Sequence, residues 1–156
     1  MIKKREYNAR KQLRNRIVEL MSILYHGESA SSIRKYIEKC INEYECRRIY
    51  VLVVDRQICG VAIVNAVKRK TVSLTELVVH PRDKGYGTMF LAMLTVKFWK
   101  EGISKIVIPL VIPDEKVKNF YLKSGFKETL FGGMELKIRR PPLLNYLMTP
   151  RSSIRG

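Results

Sequence analysis

Arg82-Asp83-Lys84-Gly85-Tyr86-Gly87 sets two glycines and two cations where a β-like apolar run ends and a helical pattern begins. Glycine inside either element costs about 0.5–1 kcal/mol against alanine, so its use twice at one corner points to backbone that must stay bare. The first N–H groups of a helix have no intrahelical partner and carry partial positive charge, which suits a phosphate. The glycines would let a phosphate approach, the amides of residues 84–88 would donate to it, and Arg82 and Lys84 would add charge. Glu76 is the second chemically notable residue, an acid within the apolar run Leu74–Val79, where an unpaired carboxylate is costly. Strand alternation places it on the face of Leu74 and Val78, opposite Leu77 and Val79.

These residues need elements to position them. Residues 5–25 carry Leu13, Ile17, Leu20, Met21 and Leu24 at helical spacing and read as one basic amphipathic helix. A second helix, capped by Ser31 or Ser32, puts Ile33, Ile37, Cys40, Ile41 and Tyr44 on one face. The period then changes: "RIYVLVV", "ICGVAIVNAV" and "TVSLTELVV" are strands joined by "DRQ" and "KRK" turns, an antiparallel meander. After the glycine corner come a helix over about 86–101, a strand "ISKIVIPLVI" interrupted by Pro109 and Pro113, and a short helix with Asp114 at its N-cap. Two short strands around Gly132-Gly133 follow. The fold class is mixed α/β (α+β), with residues 1–138 as a single domain and 139–156 as a basic, proline-containing tail.

Composition bounds the function. The chain has 156 residues, 46% apolar and 28% charged, as a globular domain does. Cys40, Cys46 and Cys59 form no C-x-x-C pair, and His26 and His80 lie far apart, so neither a disulfide framework nor a metal site is expected. No apolar run approaches a membrane span, and no apolar core follows the charged start, so a cytoplasmic protein without membrane partners is expected. The net charge of +16 is unevenly placed: Lys3, Lys4, Arg5, Arg10, Lys11, Arg14 and Arg16 face only Glu6 in the first sixteen residues. This excess serves either solubility or an anionic partner such as nucleic acid or a ribonucleoprotein, met through Lys3, Lys4, Arg5, Arg10 and Lys11.

Between about residues 48 and 138 the sequence resembles the GNAT superfamily of acetyl-CoA-dependent N-acetyltransferases. Arg82 to Gly87 looks like the family's R/Q-x-x-G-x-G loop, and Asp114, Val117, Phe120, Tyr121, Lys123, Gly125 and Phe126 match its later N-x-x-A-x-x-F-Y-x-K-x-G-F run. Asp114 replaces the usual Asn and Val117 the usual Ala. Arg82 follows Pro81 directly; a register anchored on Pro81 instead would give Lys84 the arginine place and Met89 the last glycine place. No first strand precedes the first helix, so the sheet is expected to be one strand short.

The resemblance implies a mostly antiparallel central sheet with helices on both faces, acetyl-CoA as cosubstrate with no metal, and transfer to a primary amine by direct attack. It implies coenzyme contacts from Leu77, Val78 and Val79 on the strand. Arg82, Asp83, Lys84, Gly85, Tyr86, Gly87 and Thr88 in the loop, with Asp114 and Lys123 beside the last helix, complete the set. A backbone N–H near Val78 or Val79 would polarise the thioester, and Tyr121 would be the acid toward the coenzyme sulfur unless it is simply a core tyrosine. Glu76 is the candidate base or amine-orienting group, with a salt bridge to a basic strand residue as its plain alternative; His80 could serve instead. The acceptor, implied to be set by the first two helices and the loop between the last strands, is a protein or a small molecule on a monomer or homodimer. The competing function is a basic nucleic-acid-binding module on the same scaffold with little or no activity.

Overall fold

The computed structural model describes residues 1–3, 7, 10–43, 46–68 and 70–139. Lys4, Arg5, Tyr44 and the tail from Arg140 onward therefore lie outside the described residues. Two helices come first, α1 (Lys11–Leu24) and α2 (Ala30–Asn42), followed by the meander β1 (Arg47–Val54), β2 (Gln57–Lys68) and β3 (Thr71–Val79). Then come α3 (Tyr86–Lys100), β4 (Lys105–Ile108), α4 (Glu115–Lys123), β5 (Lys127–Glu128) and β6 (Met134–Lys137). The six strands form one sheet in the order β1-β2-β3-β4-β6-β5. Among the described strands only β3 and β4 run parallel, joined by α3 as a crossover. None of the described helices is long and apolar enough to cross a membrane.

Each face of the sheet carries its own core. Ile17, Leu20 and Met21 of α1 and Ile33, Ile37 and Cys40 of α2 pack on Ile49, Val61, Ile63 and Val78. On the other face Phe90, Leu91, Leu94 and Phe98 of α3, with Tyr121 of α4, pack on Leu52, Val64, Val72, Leu74 and Ile106. Because β2 is covered on both sides, Cys59 through Val64 are all buried, which explains the unbroken apolar run in its sequence.

Local chemistry shifts several boundaries from the sequence reading. The first helix does not run unbroken from residue 5, because Arg10 is extended (φ −117, ψ 93) and α1 starts at Lys11. Leu24 at the end of the stripe is 40% exposed, and Val18 is buried in its stead. The cap of α2 is Ser29 rather than Ser31 or Ser32, its hydroxyl accepting from the Ser32 amide at 3.1 Å. Strand β4 keeps only four of the ten residues in its apolar run. At the sheet edge, Ile2 N–H donates to Ile49 C=O at 2.9 Å and its side chain is buried, so the N-terminal residues bridge to β1 without forming a strand among the described residues.

Replacing the Ser29 cap tests this local reading. Ser29→Ala should cost about 1 kcal/mol, which for a chain of this size lowers Tm by roughly 2–4 °C. A calorimetric scan showing no shift would remove the cap from the account of α2.

Candidate active site

The site begins where β3 and β4 separate. Their pairing covers only Thr71↔Lys105, Val72↔Ile106 and Ser73↔Val107. Continuing that register would set Thr75 against Pro109, and proline has no N–H to extend a ladder. On the other side of β3, the pairing with β2 jumps from Ile63↔Glu76 to Val64↔Leu74, leaving Thr75 as a bulge. Beyond that level the two strands diverge and leave a gap. The His80 amide donates to Cys59 C=O at 2.8 Å, so by alternation the Val78 amide also faces β2, while those of Leu77 and Val79 point into the gap.

The bulge also corrects the facing of Glu76. Leu74, Leu77 and Val79 all belong to the α3/α4 face, whereas Val78 belongs to the α1/α2 face. Glu76 therefore shares a face with Val78 but not with Leu74, because the extra residue reverses the alternation. It is not salt-bridged to a basic residue among the described ones. Its Oε1 instead accepts from the hydroxyls of Tyr25 at 2.8 Å and Tyr36 at 2.5 Å, and its Oε2 accepts from the Thr75 hydroxyl. Burial, then the bond to Glu76, pushes the Tyr25 hydroxyl up to about 12 and raises Tyr36 for the same two reasons. Neither tyrosine stood out in the sequence: each lies beside a helix's apolar stripe, and only the fold carries the two to one oxygen.

The glycine corner lies at the end of the gap. Asp83 (φ 63) and Gly85 (φ 72) both turn left-handed, and Gly85 is the residue from which α3 starts. It has no side chain to cap the helix and no acid stands in the first turn, so the leading amides of α3 have no intrahelical partner. Arg82, Asp83, Lys84 and Thr88 are exposed around them, while Tyr86 turns inward against the core.

Gly87 meets a different constraint. A β-carbon built there would lie 3.2 Å from Phe120 Cε2 and 3.7 Å from Val79 Cγ2. Its bareness thus lets α4 close against α3 and β3, and a larger residue would disturb the packing before it reached any ligand. Gly85 has nothing within 4 Å of the same position; there the left-handed backbone favours glycine.

Tyr121 follows Phe120 and is buried, with its ring edge-on to Phe120 and Phe126 at 5.0 and 5.2 Å. Burial pushes its hydroxyl up to about 12, so the phenol stays neutral near neutral pH. Asp114 caps α4, accepting from the Lys116 amide at 2.8 Å and the Val117 amide at 3.4 Å. Lys123 is exposed in the last turn of α4, and His80 is exposed at the end of β3.

A family profile described as "Acetyltransferase (GNAT) domain" matches residues 4–132. The chain belongs to the GNAT acetyltransferase family. Solved structures share its fold at low identity. The PaiA N-acetyltransferase from Thermoplasma acidophilum, solved with coenzyme A, is 21% identical, with a TM-score of 0.61 over 80% of this chain and 92% of that one. The aminoglycoside 6'-N-acetyltransferase from Enterococcus faecium is 17% identical, with a TM-score of 0.65 over 86% and 95%. The ribosomal-protein-S18-alanine N-acetyltransferase from Escherichia coli is 20% identical, with a TM-score of 0.57 over 69% and 78%. No curated protein matches the chain.

The tyrosine pair around Glu76 carries a pH signature. A phenol whose folded value lies above its ordinary 10.0 stabilises the fold fully below that pH and ceases to as pH rises through the folded value of about 12. Stability toward urea should accordingly fall faster between those limits in the wild type than in Tyr25→Phe. Parallel pH profiles for the two proteins would detach Tyr25 from Glu76.

Proposed function

We propose that the chain transfers an acetyl group from acetyl-CoA to a primary amine by direct attack in a ternary complex. One observation carries the reading: a gap between β3 and β4, edged by the amides of Leu77 and Val79, lies beside the uncapped N-terminus of α3. Acetyl-CoA supplies a thioester-activated acetyl group. The α3 amides, with Arg82 and Lys84, hold its diphosphate. The Val79 amide, rather than that of Val78, donates to the thioester oxygen where charge develops.

Tyr121 assists the leaving sulfur. Its hydroxyl, at about 12, is a weaker acid than an ordinary thiol near roughly 8.5. Complete proton transfer is therefore uphill: the sulfur leaves as a thiolate that accepts a hydrogen bond from the neutral Tyr121, and the proton lost by the attacking amine passes to solvent. Glu76 orients the amine instead of removing its proton. Three hydroxyls already donate to its carboxylate and hold it in place, and one acceptor site on Oε2 remains for the incoming nitrogen.

Acetyl-CoA should raise Tm, as a ligand selective for the folded state must. Arg82→Gln with Lys84→Gln should shrink that shift without lowering the Tm of the free protein. An undiminished shift would place the diphosphate elsewhere.

Tyr121→Phe should lower kcat by about 10²-fold, as loss of one donor to developing charge does, with acetyl-CoA affinity near wild type. Full activity would return Tyr121 to the core. Glu76→Gln should raise the acceptor KM and leave the acidic limb of the pH–rate profile in place. Loss of that limb would make Glu76 the base after all.

A further inference from the structure

A groove of about 920 Å³ runs between the start of α1 and the far half of β1, away from the gap between β3 and β4. Arg10, Lys11, Arg16 and Arg56 line it above a floor that includes Val51 and Val53, and no acidic residue lines it among the described residues. Arg16 is engaged, bonding Glu19 at 2.8 Å and Ile58 C=O at 3.0 Å. Arg10, Lys11 and Arg56 form no ion pair among the described residues.

Two further features concern the same place. The β1–β2 turn holds both Asp55 (φ 48) and Arg56 (φ 64) left-handed, a geometry that glycine or asparagine fills more easily. An arginine there is strained, and this turn presents it to the groove. Strand β1 is also the edge of the sheet. Since the Ile49 carbonyl accepts from Ile2, alternation turns the backbone groups of Val51 and Val53 outward as well. They have no partner among the described residues.

We propose that this groove docks an extended acidic peptide segment, added as a strand to the free edge at Val51–Val53, with its carboxylates on Arg10, Lys11 and Arg56. Main-chain bonds to the edge supply affinity and alternating side chains supply selectivity. Every second side chain of the segment, the acidic ones, faces the groove and reaches the cations with its stem along Val51 and Val53, while the apolar ones between them turn to the other face of the sheet. The lining favours a peptide over single-stranded nucleic acid because, among the described residues, it contains no aromatic side chain on which a base could stack.

Fluorescence anisotropy with a labelled alternating Val-Glu peptide of about ten residues tests the proposal on the full chain. Binding should weaken as salt rises. The triple variant Arg10→Gln, Lys11→Gln, Arg56→Gln should weaken it by about tenfold, as loss of three partly exposed charge pairs does. N-methylation of alternate peptide nitrogens should weaken it comparably. The acetyl-CoA thermal shift should stay unchanged in the triple variant, which confirms folding and separates this surface from the active site. Absence of binding, binding indifferent to the triple variant, or equal binding of the N-methylated peptide would each overturn the proposal. Binding of an oligonucleotide in place of the peptide, abolished by the triple variant, would overturn it in favour of nucleic acid.

Discussion

Thr75 and Pro109 stand at the same level of the sheet, and the parting of β3 from β4 at that level is the constraint on which the rest of the site depends. A parallel pair that continued would consume the outward amides of β3 and leave no room between the strands. Proline ends the ladder from one side because it has no N–H to give. The bulge ends it from the other by kinking β3 and increasing its twist. The same extra residue turns Glu76 to the α1/α2 face, where two tyrosines meet it. One local irregularity thus opens the cleft and aims its carboxylate.

Gly85 and Gly87 stand two residues apart at the same corner, and the structure separates the demands on them. Gly85 answers a backbone demand, a left-handed turn from which a helix starts without a cap. Gly87 answers a packing demand, since Phe120 occupies the volume that a side chain would need. Because Phe120 and Tyr121 are adjacent on α4, the contact that seats Phe120 against Gly87 also fixes where the phenol lies. Rigid packing on a helix holds the phenol more tightly than a loop would.

The excess positive charge serves more than one structural purpose. Arg48 and Lys97 both reach Glu101 at 2.9 Å, and Lys105 reaches Glu135 at 3.1 Å, which are partly exposed pairs of modest worth. The cations of the α1–β1 groove differ in having, among the described residues, no such local partner beyond that of Arg16. Arg10 and Lys11 also stand at the N-terminal end of a helix, where positive charge is unfavourable.

The sequence by itself determined the element order, the period switches between helices and strands, and the Arg82–Gly87 corner, because these depend on neighbours within a few residues. Asp114 as a helix cap was legible for the same reason: its partners are the amides of Lys116 and Val117. The facing of Glu76 was not legible, since period-two alternation contains no sign of a bulge at Thr75, which exists only through the register with β2. Nor was the Tyr25–Glu76–Tyr36 cluster, whose members are 51 and 40 residues apart along the chain. The reason Gly87 must be bare likewise waited on the fold, because Phe120 lies one crossover away. Local sequence chose the elements; the strand register and the docking of helices on both faces decided which of their side chains meet.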